Sequence, residues 1–118
     1  MPERASPHVL LVEDQFLLAD VLQRHLERLG VHVIGPVAQV SAALELIAAG
    51  QHIDCAVLDV NLDGEPVFPV ADALLARGVR FAFISGYDRS SLPAAYRDAT
   101  YFSKLNDPKR LFGWVLGS

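Results

Sequence analysis

Four apolar runs in this sequence end in a group able to do acid, base or metal chemistry. Cys55-Ala-Val-Leu58 runs into Asp59, and His8-Val-Leu-Leu-Val12 runs into Glu13 and Asp14. Val79-Arg-Phe-Ala-Phe-Ile84 runs into Ser85, and Thr100-Tyr-Phe102 into Ser103-Lys104. Three carboxylates at one place repel each other and carry raised pKa values unless a cation neutralises them. Carboxylates, a backbone carbonyl and waters are the ligands that Mg2+ prefers. Lys104 supplies one further positive charge, so Mg2+ plus lysine offsets Glu13, Asp14 and Asp59. An aspartate beside Mg2+ can act as a nucleophile toward phosphorus and form an aspartyl phosphate. The metal and the lysine then stabilise charge on the transferring phosphoryl group, and the Ser85 hydroxyl can hydrogen-bond one of its oxygens. Taken singly, each group has a bland role: Glu13-Asp14 as a helix start, Ser85 as a turn former, Lys104 as a surface lysine. Together, at four strand ends, they point to a site.

These groups converge only if the runs lie side by side in one direction. An apolar run buried on both faces is the signature of a parallel-sheet strand. Between the runs the pattern turns helical: Leu18, Leu22, Leu26 and Leu29 recur at three- and four-residue spacing, with Asp14 as the expected cap and Gly30 as the stop. A second strand is expected over residues 31–37, then a helix over 42–49 capped by Ser41 and ended by Gly50. Strand three covers residues 54–58, and residues 61–66 read as a turn. A helix follows from about Val67 to Arg77, its start blurred by Pro69, which suits only a first turn. Between Ser85 and Thr100 there is room for one short helix, at 93–97. Asp107 with Pro108 starts a final helix reaching about Leu116. Five β–α units predict a doubly wound parallel α/β sheet with helices on both faces and right-handed crossovers. The carboxyl ends of strands one, three, four and five then share one edge, where such sheets bind their ligands.

Composition fits this reading. The chain has 118 residues, 52% hydrophobic and 20% charged, which predicts one folded domain over 1–118 behind a flexible lead at 1–7. Ten basic against fourteen acidic residues give a net charge of −4 without a basic stripe, so no nucleic-acid partner is expected. The lone Cys55 forms neither an internal disulfide nor a cysteine zinc site. No secretory signal and no membrane-length apolar run is present, so a cytoplasmic domain without membrane contact is expected.

The pieces Leu11-Val-Glu-Asp14, Val57-Leu-Asp-Val60, Phe83-Ile-Ser-Gly86 and Tyr101-Phe-Ser-Lys104 together resemble the receiver domain of bacterial two-component response regulators. The resemblance spans about Val9 to Leu116. It implies a flavodoxin-like sheet of strand order 2-1-3-4-5. It implies Asp59 as phosphoacceptor, with Asp14, Asp59 and the Asn61 carbonyl on Mg2+ and Glu13 acting through water. Lys104 matches the phosphate-binding lysine, Ser85 the switch hydroxyl and Tyr101 the switch aromatic. The implied partners are a sensor histidine kinase or a histidine phosphotransfer protein.

Some features depart from the family pattern. Leu105 stands where a proline, often cis, usually follows the lysine, and a trans bond is expected here. The segment before Thr100 is short, which predicts a stunted fourth helix. The final helix carries Leu111, Phe112, Trp114, Val115 and Leu116 on more than one face, leaving an apolar remainder for docking or weak dimerisation. No output domain follows Ser118, so the expected function is that of a stand-alone receiver, monomeric or weakly dimeric. Such a protein is a signalling module rather than an enzyme, apart from its own phosphorylation and dephosphorylation. The alternative is a receiver-like interaction domain that works without phosphorylation. An aspartyl-nucleophile phosphatase would want a second acid where Asn61 stands. A flavin domain would place its phosphate against the repelling pair Glu13-Asp14.

Overall fold

Apolar runs with no polar alternation must be covered on both faces, and each of these becomes a strand of one sheet. The computed structural model describes residues 6–86, 89–104 and 108–117. Strands β1 (His8–Val12), β2 (His32–Val37), β3 (Cys55–Asp59), β4 (Arg80–Ser85) and β5 (Tyr101–Ser103) are all parallel. They lie in the order β2-β1-β3-β4-β5, which is the expected one. Helices α1 (Phe16–Arg28), α2 (Val40–Ala48), α3 (Phe68–Ala76) and α4 (Pro108–Val115) cover the two faces.

Period-two alternation divides the strand residues between two cores. Leu10, Val12, Ala56, Leu58 and Phe83 pack with Ala43 and Ile47 of α2 and Val70 and Leu74 of α3. Val9, Leu11, Val57 and Ile84 pack with Leu22 and Leu26 of α1 and Leu111 and Val115 of α4. Burying each large apolar side chain contributes about 1.5–3 kcal/mol, and β1 and β3 supply such residues to both sides. Burial also pushes the Cys55 thiol up to about 11, so it is a small core residue rather than a reactive one.

The starts of α1 and α2 differ from expectation, and the helix ends agree with it to within a residue or so. Gln15, not Asp14, occupies the N-cap position of α1, and no side chain caps it. Asp14 instead turns toward Glu13 and Asp59, while Glu13 Oε2 accepts the Gln15 N–H at 2.9 Å. Helix α2 begins at Val40, whose burial draws the chain inward early, so Ser41 lies inside the first turn instead of capping it. At the other end of α1, Gly30 takes φ 84. The Val31 N–H then bonds Leu26 O and the Gly30 N–H bonds Glu27 O, each at 3.0 Å, a Schellman closure. Pro69 falls in the first turn of α3, as its missing donor requires.

The expected turn at 61–66 is a small antiparallel ribbon, Asn61–Leu62 against Glu65–Pro66. Asp63 (φ 52) and Gly64 (φ 87) form its two-residue bend, the pair of left-handed residues that a type I′ hairpin needs. Between β4 and β5 the short helix is reduced to two 3₁₀ turns, Arg89–Ser91 and Ala94–Tyr96, anchored by buried Leu92 and Tyr96. The apolar residues of α4 are largely absorbed. Phe112 stacks on His25 with centroids 5.5 Å apart, and the Arg80 guanidinium lies 4.3 Å over Trp114. Leu116, just past the end of α4, is the exposed one of the set. The expectations for Met1 to Ala5, the Lys104–Leu105 bond and the Asp107 helix start fall outside the described residues.

One glycine is fixed by contact as well as by φ. At Gly35 (φ 98) an added Cβ would lie 2.7 Å from Val37 N and 3.0 Å from Leu11 O, whereas Gly50 (φ 77) faces open space. Left-handed strain costs an alanine about 1–2 kcal/mol. Urea unfolding should therefore show Gly50→Ala losing about 1 kcal/mol and Gly35→Ala about 2–4 kcal/mol. Equal losses would refute the clash.

Candidate functional site

Parallel strands open their carboxyl ends on one edge, and this edge carries the reactive groups. Glu13 and Asp14 follow β1, Asp59 ends β3, Ser85 ends β4 and Lys104 follows β5. Strand register sets their spacing: Asp59 is opposite Ile84, and Ser85 is opposite Ser103. The Lys104 N–H then continues the ladder, donating to Ser85 O at 2.9 Å. That bond starts the lysine side chain at the sheet edge and aims it back across the strand ends.

Carboxylate oxygens of Glu13, Asp14 and Asp59 lie within 4.8 Å of one another. Into this group the Lys104 Nζ reaches, 3.0 Å from Asp59 Oδ2 and 3.1 Å from Glu13 Oε1. Glu13 and Asp59 are 2% and 4% exposed, so these charges face each other largely without water. Asp14 is half-buried and more open. Ser85 is buried in the same cleft, which Asn61 and Asp63 also line. The Asn61 N–H donates to Asp59 Oδ1 at 3.3 Å, and its side-chain oxygen accepts the Gly64 N–H at 2.9 Å. The ribbon bend thus fixes the chain beside Asp59.

Electrostatics follow from this crowding. Burial, joined by the neighbouring Glu13, pushes the Asp59 carboxyl up to about 7 against the lowering effect of Lys104. Burial disfavours the Lys104 ammonium too, but its bonds to Asp59 and Glu13 outweigh that and raise its pKa above the ordinary lysine value. One ammonium therefore does not fully offset the carboxylates. The donors left over are hard oxygens, which suit a cation of the Mg2+ or Ca2+ type and not a soft metal.

The sequence-derived residues meet here with one exception. Glu13, which the resemblance gives a water-mediated role, touches Lys104 directly. Tyr101 stands apart, half-buried on β5 opposite Phe83, two residues from the Ser85–Ser103 pair. Strand alternation puts it on the same sheet face as Ser85. Sequence reasoning missed Gln15, whose Oε1 lies 3.3 Å from Lys104 Nζ. A glutamine at a helix start carries no chemical signature, and only the lysine's approach reveals it.

Comparison with known proteins agrees with the fold. No family model matches the chain. The chain is similar to the solution structure of SdrG from Sphingomonas melonis Fr1. Identity is 35% over 98% of this chain and 97% of that one, with TM-score 0.81. It is also similar to a BeF3-activated conformation of SdrG from Pseudomonas melonis Fr1, with 36% identity over 92% and 95% of the two chains and TM-score 0.75. A CheY-like response regulator receiver domain protein from Methanospirillum hungatei JF-1 shares the fold. Its TM-score is 0.80 at 21% identity, over 95% of this chain and 92% of that one. Among curated proteins, an uncharacterized transcriptional regulatory protein, YbdJ of Bacillus subtilis, is 28% identical over 107 residues, 87% of this chain. The chain spans about half the length of that relative, 46%.

The raised Asp59 pKa has a thermodynamic consequence. Without metal, folded Asp59 holds a proton up to about pH 7, while an unfolded aspartate releases it near about pH 4. The folded state binds more protons across that window, so this group's contribution to stability falls as pH rises through it. Urea unfolding in EDTA between about pH 5 and pH 8 should show this fall, and Asp59→Asn should lessen it. A slope identical in the variant would refute the assignment.

Proposed function

Because the chain belongs to the response regulator receiver family, we propose that it accepts a phosphoryl group on Asp59 from a phosphohistidine. The donor is a sensor histidine kinase or a histidine phosphotransfer protein. The carrying observation is the Lys104 ammonium, 3.0 Å from Asp59 Oδ2 within a cluster of three carboxylates. That arrangement supports phosphoryl transfer because it couples a nucleophile to a fixed positive charge and a cation-binding donor set.

In this reading an Asp59 carboxylate oxygen attacks phosphorus in line with the histidine nitrogen. The P–O bond forms as the N–P bond breaks, and its electron pair returns to the ring nitrogen; the imidazole, protonated on its other nitrogen, leaves neutral. Lys104 turns from bonding the free carboxylate to bonding a phosphoryl oxygen, keeping its charge where negative charge grows. The Ser85 hydroxyl donates to a second oxygen. Asp14 and Asp59 would hold Mg2+ with the Asn61 carbonyl, while Glu13 keeps Lys104 in place. Bound there, Mg2+ supplies the charge that lets an anionic nucleophile approach an anionic phosphoryl group. Attack requires the carboxylate form, which the Lys104 ammonium favours and burial with Glu13 opposes.

The output is a protein contact. Drawing Ser85 toward the phosphoryl group opens space on its face of the sheet, into which the Tyr101 ring turns. The role is that of a signalling domain, not a classical enzyme. We place it in the cytoplasm; among the described residues no helix is long and apolar enough to cross a membrane.

Intact mass after incubation with acetyl phosphate and Mg2+ tests the proposal. The native chain should gain a single phosphoryl group and Asp59→Asn none. Lys104→Gln should accept it about 100-fold more slowly, the size of effect seen when one charge-stabilising donor is removed. Equal labelling of native protein and Asp59→Asn, or none in either, would overturn it.

A further inference from the structure

The amino-end edge of the sheet, opposite the acidic site, gathers three of the chain's four histidines. His8 opens β1, His32 opens β2, and His52 and Asp54 lie on the segment leading into β3. Side-chain ligand atoms of His8, His52 and Asp54 all fall within 4.8 Å of one another. His52 Nε2 is 3.0 Å from Asp54 Oδ1, and His8 Nδ1 is 3.8 Å from Asp54 Oδ2. The backbone locks the group from below: the Asp54 N–H donates to His8 O at 2.8 Å, and the His8 N–H donates to Asp54 Oδ2 at 2.6 Å. The His32 ring packs 4.7 Å from the His8 ring and the His52 ring 5.3 Å from it, so the imidazoles converge.

We propose that His8, His52 and Asp54 form a site for a divalent transition-metal ion of the Zn2+ class, separate from the acidic phosphorylation site. Imidazole nitrogens are ligands for Zn2+, Ni2+ and Cu2+, whereas Mg2+ takes oxygens, so the two sheet edges select different ions. Tetrahedral Zn2+ with bonds of about 2.0–2.1 Å sets ligand atoms about 3.4 Å apart. The His52–Asp54 pair is already that close. His52 is 71% exposed, which leaves its ring room to rotate into the set. Asp54 and His8 retain 41% and 34% exposure, which leaves room for entry and for water in the fourth position. The parts of the site sit at the start of β1 and on the segment leading into its neighbour β3, so bound metal would tie those two together.

The test is calorimetric titration of untagged protein with ZnCl2 in excess Mg2+, above the ordinary imidazole pKa range. One ion should bind per chain and raise Tm. His52→Ala, an exposed change that leaves the core intact, should weaken binding at least tenfold and abolish the Tm rise. Asp59→Asn should retain both. Co2+ in place of Zn2+ should show intense visible bands of tetrahedral coordination, lost in His52→Ala. Zn2+ binding that survives His52→Ala or disappears in Asp59→Asn would overturn the proposal, as would no binding at all. Either result leaves the phosphoryl reading standing, because labelling of Asp59 is measured separately.

Discussion

The Lys104 ammonium lets two buried carboxylates stand side by side, and much of the molecule is arranged to deliver it. Glu13 and Lys104 are 91 residues apart in sequence and 3.1 Å apart in space. Closing that distance requires β1 and β3 at the centre, β4 outside β3, and β5 outside β4, each in register. A strand of three residues is enough at that last position, because its task is to end beside Ser85. The lysine is still outnumbered. Burial and Glu13 push the Asp59 pKa up to about 7, so below that pH a proton, rather than a second cation, relieves the excess negative charge of the site. Removing a lone partner from such a buried group costs more than the pair itself contributes, because an uncompensated charge is left behind.

A second constraint comes from the short chain between β4 and β5. Two 3₁₀ turns cover less of the sheet than a helix, and aromatic rings fill the difference. Tyr96 stacks on Phe68 at 5.3 Å and meets Phe83 edge-on at 5.5 Å, with Phe81 beside them. The Tyr96 hydroxyl hydrogen-bonds Asp72 of α3, tying the turns to the neighbouring helix. Rings paired this way gain about 0.5–1.5 kcal/mol each beyond their buried area. Ser85 and Tyr101 lie on this same face, so any rearrangement there works against packed aromatics and not against a mobile helix.

What the sequence revealed, and what it concealed, follows the range of each interaction. Asp59, Asp14, Glu13, Ser85 and Lys104 were legible because each ends an apolar run, and parallel strands force such ends together. Gly30 and Gly50 were legible as helix stops because left-handed backbone is a local demand. Helix starts were less so: Asp14 and Ser41 are good capping types, but site chemistry claimed the first and burial of Val40 moved the helix past the second. The 61–66 ribbon was hidden because Asp63 must accept positive φ, a less common choice than glycine. The aromatic cluster and the Lys104–Gln15 contact depend on tertiary neighbours, which no periodicity encodes. The same holds for His8, His32 and His52, whose spacing in sequence resembles no metal motif.

A doubly wound sheet makes its two edges chemically independent, and the charges here use that separation. From His8 to Glu13, and from Asp54 to Asp59, the chain advances five residues, about 16 Å at about 3.3 Å each. Unit charges that far apart interact by about 1 kcal/mol at an effective dielectric of about 20, before salt screening with a length of about 8 Å. Net charge lowers the coupling further. With Asp59 ionised, Glu13, Asp14 and Asp59 would carry three negative charges; Lys104 returns one, and a divalent cation bound there would cancel the remaining two. A neutralised carboxyl edge exerts almost no field on the histidine edge. Any influence of one on the other must travel as displacement along β1 and β3, whose residues are packed on both sides. Close-packed strands resist such movement, so the proposed phosphoryl site at one edge and the proposed imidazole site at the other would act without interfering.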